Sequence, residues 1–277
     1  MDRQLSIFAT IKGIGSASGL WLKQNLLYLI GDNSAYLYEY NTVNKSLTKI
    51  QILKDAKALV NIAKADKPDF EVLCHYQNTL YILGSGSTAN RNLMIAYNLE
   101  TKKITPHQLS SVYAAIKKTC AIDDDNLNIE GAVFDGNNWF LFNRGNGNAT
   151  KNGVIKIYGD NLAAIEKIEF TSIVLLKTNQ KLASFTDAVL HQNQLYFIAA
   201  AEDTTSTYHD GEILGSYIGS LNADTLSLNF TKQISTHQKF EGITFLKQNT
   251  NAIEFLLCED RDTAILETVI YKLVLAQ

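Results

Sequence analysis

Apolar and polar positions alternate along this chain in short runs, and one arrangement of them recurs five times. Each copy opens on a small or acidic residue, continues as a short apolar strand, and adds a second strand that is rich in aromatic residues. The copies read SGLWLKQNLLYLIGD, EVLCHYQNTLYILGS, EGAVFDGNNWFLFNR, DAVLHQNQLYFIAAAED and EGITFLKQNTNAIEFLLCED, and they begin at Ser18, Glu71, Glu130, Asp187 and Glu241. Their starts are 53, 59, 57 and 54 residues apart. Such a period predicts a radial array of similar units.

Within each of the first four copies, alternation and β-branched or aromatic content predict four strands. The fifth copy supplies only three strands, whereas the segment 5–12, LSIFATIK, precedes the first copy and has the pattern of a further strand. The sequence therefore predicts an all-β fold, a five-bladed β-propeller of four-stranded blades. The N-terminal strand closes the last blade, which leaves no long exposed sheet edge. The chain forms a single propeller domain with blades at about residues 18–53, 71–108, 130–170, 187–234, and 241–277 plus 5–12.

Two connections are longer than a link between neighbouring blades requires. Residues 54–68 and 109–128 each contain a short helical pattern. In the second connection, Ser110 or Ser111 is placed to cap a helix over VYAAIKK. The repeat resumes in phase after both connections, so neither of them is a linker between domains.

The first residue of each repeat is predicted to lie at one mouth of the central channel, because the first strand of a propeller blade is the innermost one. Four of the five positions carry a carboxylate, and like charges around a narrow axis repel each other strongly. Three kinds of compensation are open: a bound cation, protonation of some carboxyl groups, or basic side chains. Carboxylates with a serine oxygen suit Ca²⁺ or another hard divalent cation better than zinc. The predicted metal ligands are Ser18, Glu71, Glu130, Asp187 and Glu241.

Three of the four arginines, Arg91, Arg144 and Arg261, lie in or just before predicted connections that open onto the same mouth. A planar guanidinium suits two-point contacts to carboxylates or phosphates. Asn143 and His209 lie in connections of the same kind. Together these residues predict a polar cup for a small polar or anionic ligand. The alternative is that the arginines only neutralise the acidic ring in a structural network.

The overall charge and the cysteines narrow the class of protein. A formal net charge of −3 gives no general attraction to nucleic acid or to an anionic membrane. No apolar run approaches the roughly 18 residues of a membrane helix, and the N-terminal residues lack a signal-peptide pattern. We expect a cytoplasmic monomer, or a periplasmic or secreted one if a signal peptide has been removed. Cys74, Cys120 and Cys258 are widely spaced, and we expect them to be buried and reduced.

Several phrases of the chain, SASGLW, KPDFE, LGSGS, NIEGA, NRGNG, FTDA and KFEGI, together resemble an uncharacterised family of bacterial β-propellers. More distantly, the strand starts with FEG are similar to those of phytase-like esterase and gluconolactonase-type propellers. The latter resemblance implies a divalent metal, often calcium, held by acidic residues at the mouth. It implies Glu71, Glu130, Asp187 and Glu241 as the matching positions. Two departures are that those relatives usually have six blades and that no clear catalytic histidine or lysine lies beside this ring.

Three hypotheses for the function follow. The first is a propeller that binds a small ligand, with a divalent cation, at the acidic mouth. The second is a metal-dependent hydrolase of a small ester, lactone or phosphoester, in which the ion polarises the substrate. The third is a non-catalytic protein-interaction scaffold. No Ser-His-Asp order, GxSxG, HExxH or paired CxxC pattern is present in the sequence, so whether the protein is an enzyme stays open.

Overall fold

Five four-stranded antiparallel sheets form a five-bladed β-propeller, which confirms the predicted fold. The computed structural model describes residues 3–276 apart from 146, 148, 163, 205–210 and 262–264. In every blade the strand nearest the central axis is the first of the repeat, as the sequence pattern predicts. No helix in the described residues is long and apolar enough to span a membrane.

The N-terminal strand and the first three blades follow one another along the chain. The first strand is β1 (Arg3–Lys12), and the first blade contains β2 (Ala17–Lys23), β3 (Leu26–Gly31), β4 (Tyr36–Asn41) and β5 (Leu47–Gln51). The second blade contains β6 (Phe70–Tyr76), β7 (Thr79–Gly84), β8 (Leu93–Asn98) and β9 (Ile104–Gln108). A helix, α1 (Ser110–Cys120), precedes the third blade, which contains β10 (Ile129–Phe134), β11 (Asn138–Asn143), β12 (Gly153–Tyr158) and β13 (Lys167–Ser172).

The last two blades complete the ring. After a small hairpin of β14 (Lys177–Thr178) and β15 (Lys181–Leu182), the fourth blade contains β16 (Ser184–His191), β17 (Gln194–Glu202), β18 (Ile213–Asn222) and β19 (Leu228–Ser235). The fifth contains β20 (Lys239–Gln248), β21 (Ala252–Asp260) and β22 (Glu267–Ala276), with β1 as its outermost strand. Strand β1 pairs antiparallel with β22 from Arg3 opposite Leu275 to Lys12 opposite Glu267. This pairing confirms that the N-terminal strand closes the last blade.

The hydrophobic core lies between the blades. Five clusters of buried side chains fill the five junctions between neighbouring blades, including the one between the fifth blade and the first. Because each blade is apolar on both faces, each junction buries one face of each neighbour, and the ring has no uncovered face within it. Cys74, Cys120 and Cys258 are buried and unpaired within this packing, as predicted.

Of the two predicted helices, one forms. Helix α1 buries Val112, Tyr113 and Ile116 at the junction of the second and third blades. Its N-cap is Leu109, and no side chain caps the first turn, so the serine cap is wrong. Residues 54–68 contain no helix either. That segment lies across the first blade, where the backbone N–H of Ala35 donates to the carbonyl of Leu59 at 3.0 Å. Such contacts to the β3–β4 connection satisfy backbone groups that a helix would pair internally.

All five innermost strands carry a register shift at the same place, close to their first residue. In each strand one residue has no partner opposite it in the second strand, which is the arrangement of a β-bulge. The residues at the bulges are Ser18, Glu71, Glu130, Thr186 and Glu241. In the fourth blade the equivalent position is therefore occupied by Thr186, and not by Asp187 as the sequence alignment of the copies predicts. Asp187 lies one residue further into the channel.

Candidate functional site

A cavity of about 280 Å³ lies at the mouth of the channel, where the bulged ends of the innermost strands meet. The numbers of acidic and basic side chains that line the cavity are nearly equal. The carboxylates that line it belong to Asp32, Glu71, Glu130, Glu241 and Asp260. The basic groups that line it belong to Lys64, Lys67, Arg144 and Lys239. The site is thus a mixed-charge cup rather than the purely acidic ring that the repeat starts suggest.

One ion-pair network lies on the side of the first and second blades. The ammonium of Lys67 contacts Asp32 and lies 2.7 Å from Oδ1 of Asp69. The other oxygen of Asp69 accepts a hydrogen bond from Arg91 at 2.8 Å and one from the hydroxyl of Ser85 at 2.5 Å. Asp69 is buried with its carboxylate fully engaged, so this network fixes the segment that leads into β6.

A second network links three blades in alternating charge. Arg144 lies 3.1 Å from Oε1 of Glu130 and 2.5 Å from Oε1 of Glu202. Lys239 in turn lies 3.5 Å from Glu202 and 2.8 Å from Oε1 of Glu241. All five side chains are at most 7% exposed. Each buried charge therefore has an opposite charge beside it, as burial of ions requires.

Three carboxyl groups of the cavity have oxygens without a partner in the part of the chain that the structure describes. Glu71 makes no hydrogen bond or ion pair with the described residues, although it lines the cavity. Glu130 bonds only through Oε1, to Asn128 and Arg144. Oε2 of Glu241 is buried and has no partner in the described part of the chain. These three acceptors come from the second, third and fifth blades.

Burial disfavours the charged forms of these carboxyl groups. It raises the pKa of Glu71 well above the ordinary value, and the charges of Asp69 and Glu130 raise it further. Burial also raises the pKa of Glu241 to about 8, against the lowering effect of Lys239. For Lys67, burial lowers the pKa, but the carboxylates around it outweigh burial and raise the pKa. Basic partners and protonation, two of the three predicted kinds of compensation, are therefore both built into the mouth.

Two of the predicted metal ligands direct their oxygens elsewhere. The hydroxyl of Ser18 donates to the carbonyl of Phe70 at 2.5 Å. The carboxylate of Asp187 accepts from the backbone N–H groups of Ala188 at 2.7 Å and Ile243 at 2.8 Å. Both side chains thus bridge neighbouring strands, and neither lines the cavity. Of the five predicted ligands, the structure brings Glu71, Glu130 and Glu241 together around it.

The predicted ligand-binding residues do not lie together in the structure. Arg144 lines the cavity, whereas Arg91 is buried against Asp69. Arg261 lies on the rim with its side chain 43% exposed, paired with Glu259 at 3.3 Å. Asn143 is fully buried and holds the backbone of the next connection, since its amide donates to the carbonyls of residues 126 and 151. His209 lies outside the described residues.

The sequence analysis does not identify the three lysines that line the cavity, although a pattern marks two of them. Lys67 begins the phrase KPDFE, and Lys239 begins KFEG, and in both the glutamate at the bulge follows directly after a phenylalanine. A lysine that recurs just before the FE pair in two copies is a signal that could have located them. No such pattern marks Glu202. It is the last residue of β17, and only the folded arrangement of the blades brings it close to the mouth.

One group of acidic side chains could hold a metal ion. Asp32, Asp69 and Glu71 each offer an oxygen, and these oxygens lie within 4.8 Å of one another. The ammonium of Lys67 already contacts Asp32 and Asp69, so a cation is supplied there by the protein itself. A divalent ion at these oxygens would have to displace or repel that ammonium.

The opposite mouth of the channel is built differently. His75 stacks on Trp21 with ring centroids 4.0 Å apart, and His191 stacks on Phe245 at 3.9 Å. Nε2 of His75 is bonded to the carbonyl of Gln77 at 2.6 Å. These contacts give both histidines a structural role at the far ends of β6 and β16.

Fold and site together define a five-bladed β-propeller with a mixed-charge cup at one channel mouth. The chain belongs to a family of unknown function, DUF6929, which matches residues 13–275. No protein of curated function matches the sequence.

Solved structures share the fold at low sequence identity. The glutaminyl cyclase of Myxococcus xanthus is 9% identical with a TM-score of 0.55, over 99% of this chain and 98% of that one. The allergen Mala s 1 of Malassezia sympodialis is 11% identical with a TM-score of 0.51, over 96% and 92%. The tail fibre of Staphylococcus aureus phage P68 is 12% identical with a TM-score of 0.51, over 98% of this chain but 52% of the fibre. At these identities the likeness concerns the fold alone.

Proposed function

We propose that this propeller binds a small polar ligand at the channel mouth, through hydrogen-bond donors that the ligand directs at Glu71, Glu130 and Glu241. One observation carries the proposal: these three carboxyl groups, from three blades, line one cavity and have oxygens without a partner among the residues that the structure describes. A buried acceptor without a donor costs free energy, so a ligand that supplies donors gains affinity by removing that cost.

The charges favour donors over acceptors on the ligand. Arg144 already contacts two carboxylates, and Lys239 contacts two as well. A wholly anionic ligand would have to take these cations from Glu130, Glu202 and Glu241 while it approached the acidic side chains of the cavity. A ligand rich in hydroxyl or amino groups meets acceptors that are already in place.

The size of the cavity limits the ligand. Drug-sized ligands occupy pockets of roughly 300–1,000 Å³, and this cavity measures about 280 Å³. A molecule of about the size of one sugar ring fits that volume. No serine, threonine, cysteine or histidine lines the described cavity, which supports binding rather than covalent catalysis by such a nucleophile.

Thermal unfolding with a panel of small ligands tests the proposal. Polyols, sugars, amino sugars, amines and carboxylates are added to the wild type and to Glu241→Gln. The exposed Glu169→Gln serves as the control. We expect stabilisation by at least one donor-rich class in the wild type and the control, and a smaller effect in Glu241→Gln. If the carboxylates alone stabilise the protein, or if no class does, the proposal is wrong.

A divalent cation is a second candidate for the same mouth, favoured by the closeness of Asp32, Asp69 and Glu71. Oxygen ligands of this kind suit Ca²⁺. Since the ammonium of Lys67 competes for two of these carboxylates, Lys67→Met should bind calcium more tightly than the wild type does. Calcium titrations of both proteins by calorimetry measure this. Absent binding in both proteins would remove the metal from consideration, and equal binding in both would contradict a site at Asp32, Asp69 and Glu71.

A further inference from the structure

We infer that the group recognised at the mouth is a primary ammonium, bound by the oxygens of Glu71, Glu130 and Glu241 that have no partner among the described residues. This inference rests on the proposed function and names the chemical class of its ligand. A primary ammonium carries three N–H donors and a positive charge. The cavity is lined by three carboxyl groups from three different blades, so a positively charged group with several donors suits it in sign and in hydrogen bonding.

The burial of these acceptors favours a charged donor over a neutral one. Glu241 is 5% exposed, and its Oε2 has no partner in the part of the chain that the structure describes. A neutral hydroxyl would supply a hydrogen bond but no positive charge, so burial would continue to disfavour the ionised form of the carboxyl group. An ammonium supplies both, and hydrogen bonds between ionised groups are about twice as strong as neutral ones.

The protein's own lysines provide a second argument. Lys67 is held between Asp32 and Asp69, and Lys239 lies between Glu202 and Glu241. The mouth therefore already binds two ammonium groups, each between a pair of carboxylates. Glu71 makes no direct ion pair with the described residues, since the ammonium of Lys67 attracts it but contacts Asp32 and Asp69 instead, and Glu71 therefore leaves a place for a third ammonium.

The basic side chains of the mouth favour a monovalent cation over a divalent one. Arg144 and Lys239 lie within 3.1 Å of Glu130 and Glu241, and they reduce the negative potential that a dication needs. A monovalent cation is less strongly repelled by these two basic groups. The combination of three acceptors with two adjacent cations thus favours an ammonium over a bare divalent ion.

Matched probes separate charge from hydrogen bonding. Calorimetric titrations use the full chain with glucosamine and glucose, which share the ring, and with methylammonium and tetramethylammonium, which share the charge. We expect glucosamine and methylammonium to bind, and glucose and tetramethylammonium to bind at least tenfold more weakly. In Glu71→Gln and Glu241→Gln we expect glucosamine affinity to fall about 10- to 100-fold, since a charge-assisted hydrogen bond is lost. Glu169→Gln, on the exposed outer strand of the third blade, should bind like the wild type.

The other outcomes are distinguishable. If glucose binds as tightly as glucosamine and the affinity depends on Glu241, the mouth binds polyols, so the proposed function stands and the ammonium inference fails. Equal binding of tetramethylammonium and methylammonium also overturns the inference, because the N–H donors would then not matter. If none of the four probes binds, both the inference and a donor-binding mouth of this size are contradicted. Wild-type-like glucosamine affinity in both glutamine variants would place the binding elsewhere.

Discussion

The ammonium of Lys239 lies 2.8 Å from Oε1 of Glu241, two residues further along the same innermost strand, while Oε2 of that carboxylate has no partner among the described residues. The contact shows that the two side chains lie on the same side of β20, next to the bulge at Glu241. Glu241 is thus half satisfied by its own strand and half available to the cavity. Under the proposed function, the same residue stabilises the blade and supplies an acceptor for the ligand.

Removal of the lysine tests the bracing part of this relationship. Lys239→Met leaves Glu202 and Glu241 buried without one of their cations, and we expect the free energy of unfolding to fall by about 3 kcal/mol. The matched control is Lys247→Met in the same strand, where the side chain is 63% exposed and pairs with Glu254. There we expect a change of at most about 1 kcal/mol. Denaturant unfolding measures both variants, and equal effects would contradict the account of a buried network.

The pH dependence of stability should change when Glu71 is neutralised. Because the pKa of Glu71 is raised in the folded state, the unfolded chain releases this proton at lower pH. The favourable contribution of the protonated carboxyl is complete below the unfolded value of about 4.3. It is lost as pH rises toward the folded pKa. Glu71→Gln should therefore be more stable than the wild type at pH 7 and equally stable near pH 4.

Thermal unfolding of both proteins across this pH range measures the difference. For a chain of this size, each kcal/mol corresponds to roughly 2 to 4 °C in the melting temperature. Glu169→Gln is the control, because its carboxylate is exposed and its pKa is lowered by Lys167, the opposite direction. A stability difference between Glu71→Gln and the wild type that grows as the pH falls would contradict the account.

Closure of the fifth blade by β1 predicts unequal effects of two similar substitutions. Ile11 is 2% exposed within the core between the fifth and first blades, whereas Ile7 on the same strand is 65% exposed. Ile11→Ala should cost about 2 to 5 kcal/mol, and Ile7→Ala about 0.5 kcal/mol or less. Deletion of residues 1–12 removes the whole strand and should abolish cooperative unfolding. An unchanged melting temperature after the deletion would contradict ring closure by β1.

The close approach of the innermost strands predicts that Gly131 tolerates no side chain. A Cβ atom at this residue would lie 2.9 Å from the Cα of Asp187 and 3.0 Å from the backbone nitrogen of Ala188. Since both contacts are to backbone of the next blade, the blades would have to move apart. Gly131→Ala should lower the stability by about 1 to 3 kcal/mol, and calorimetric unfolding measures this. An unchanged unfolding midpoint would show that the channel is wider than described.

The fold could be predicted from the sequence because its signal is repeated. Five copies with the same strand pattern fix the number of blades, and the fifth copy lacks one strand, which only the segment before Ser18 can supply. The segment 54–68 was predicted helical and is not, since its backbone groups bond to the first blade. A local pattern cannot reveal bonds to a distant part of the chain.

The site could be predicted only in part. The alignment of copies locates Glu71, Glu130 and Glu241, but in the fourth blade it selects Asp187 where the bulge places Thr186. The reason is that a bulge shifts the register by one residue, and sequence similarity aligned the acidic side chains instead. The hydroxyl of Thr186 donates to the carbonyl of Phe240 at 2.7 Å, the same bond that Ser18 makes to Phe70. Hydroxyl residues at two bulges thus join blades, and glutamates at the other three line the cavity.

The most direct test of the account is a crystal structure of the protein grown with glucosamine. The account predicts the amino nitrogen within about 3 Å of carboxylate oxygens, with Glu71 and Glu241 among its partners and Lys239 still paired with Glu241. Glucosamine bound with its amino group toward solvent, or bound away from the channel mouth, would contradict the claim that this cup recognises an ammonium group.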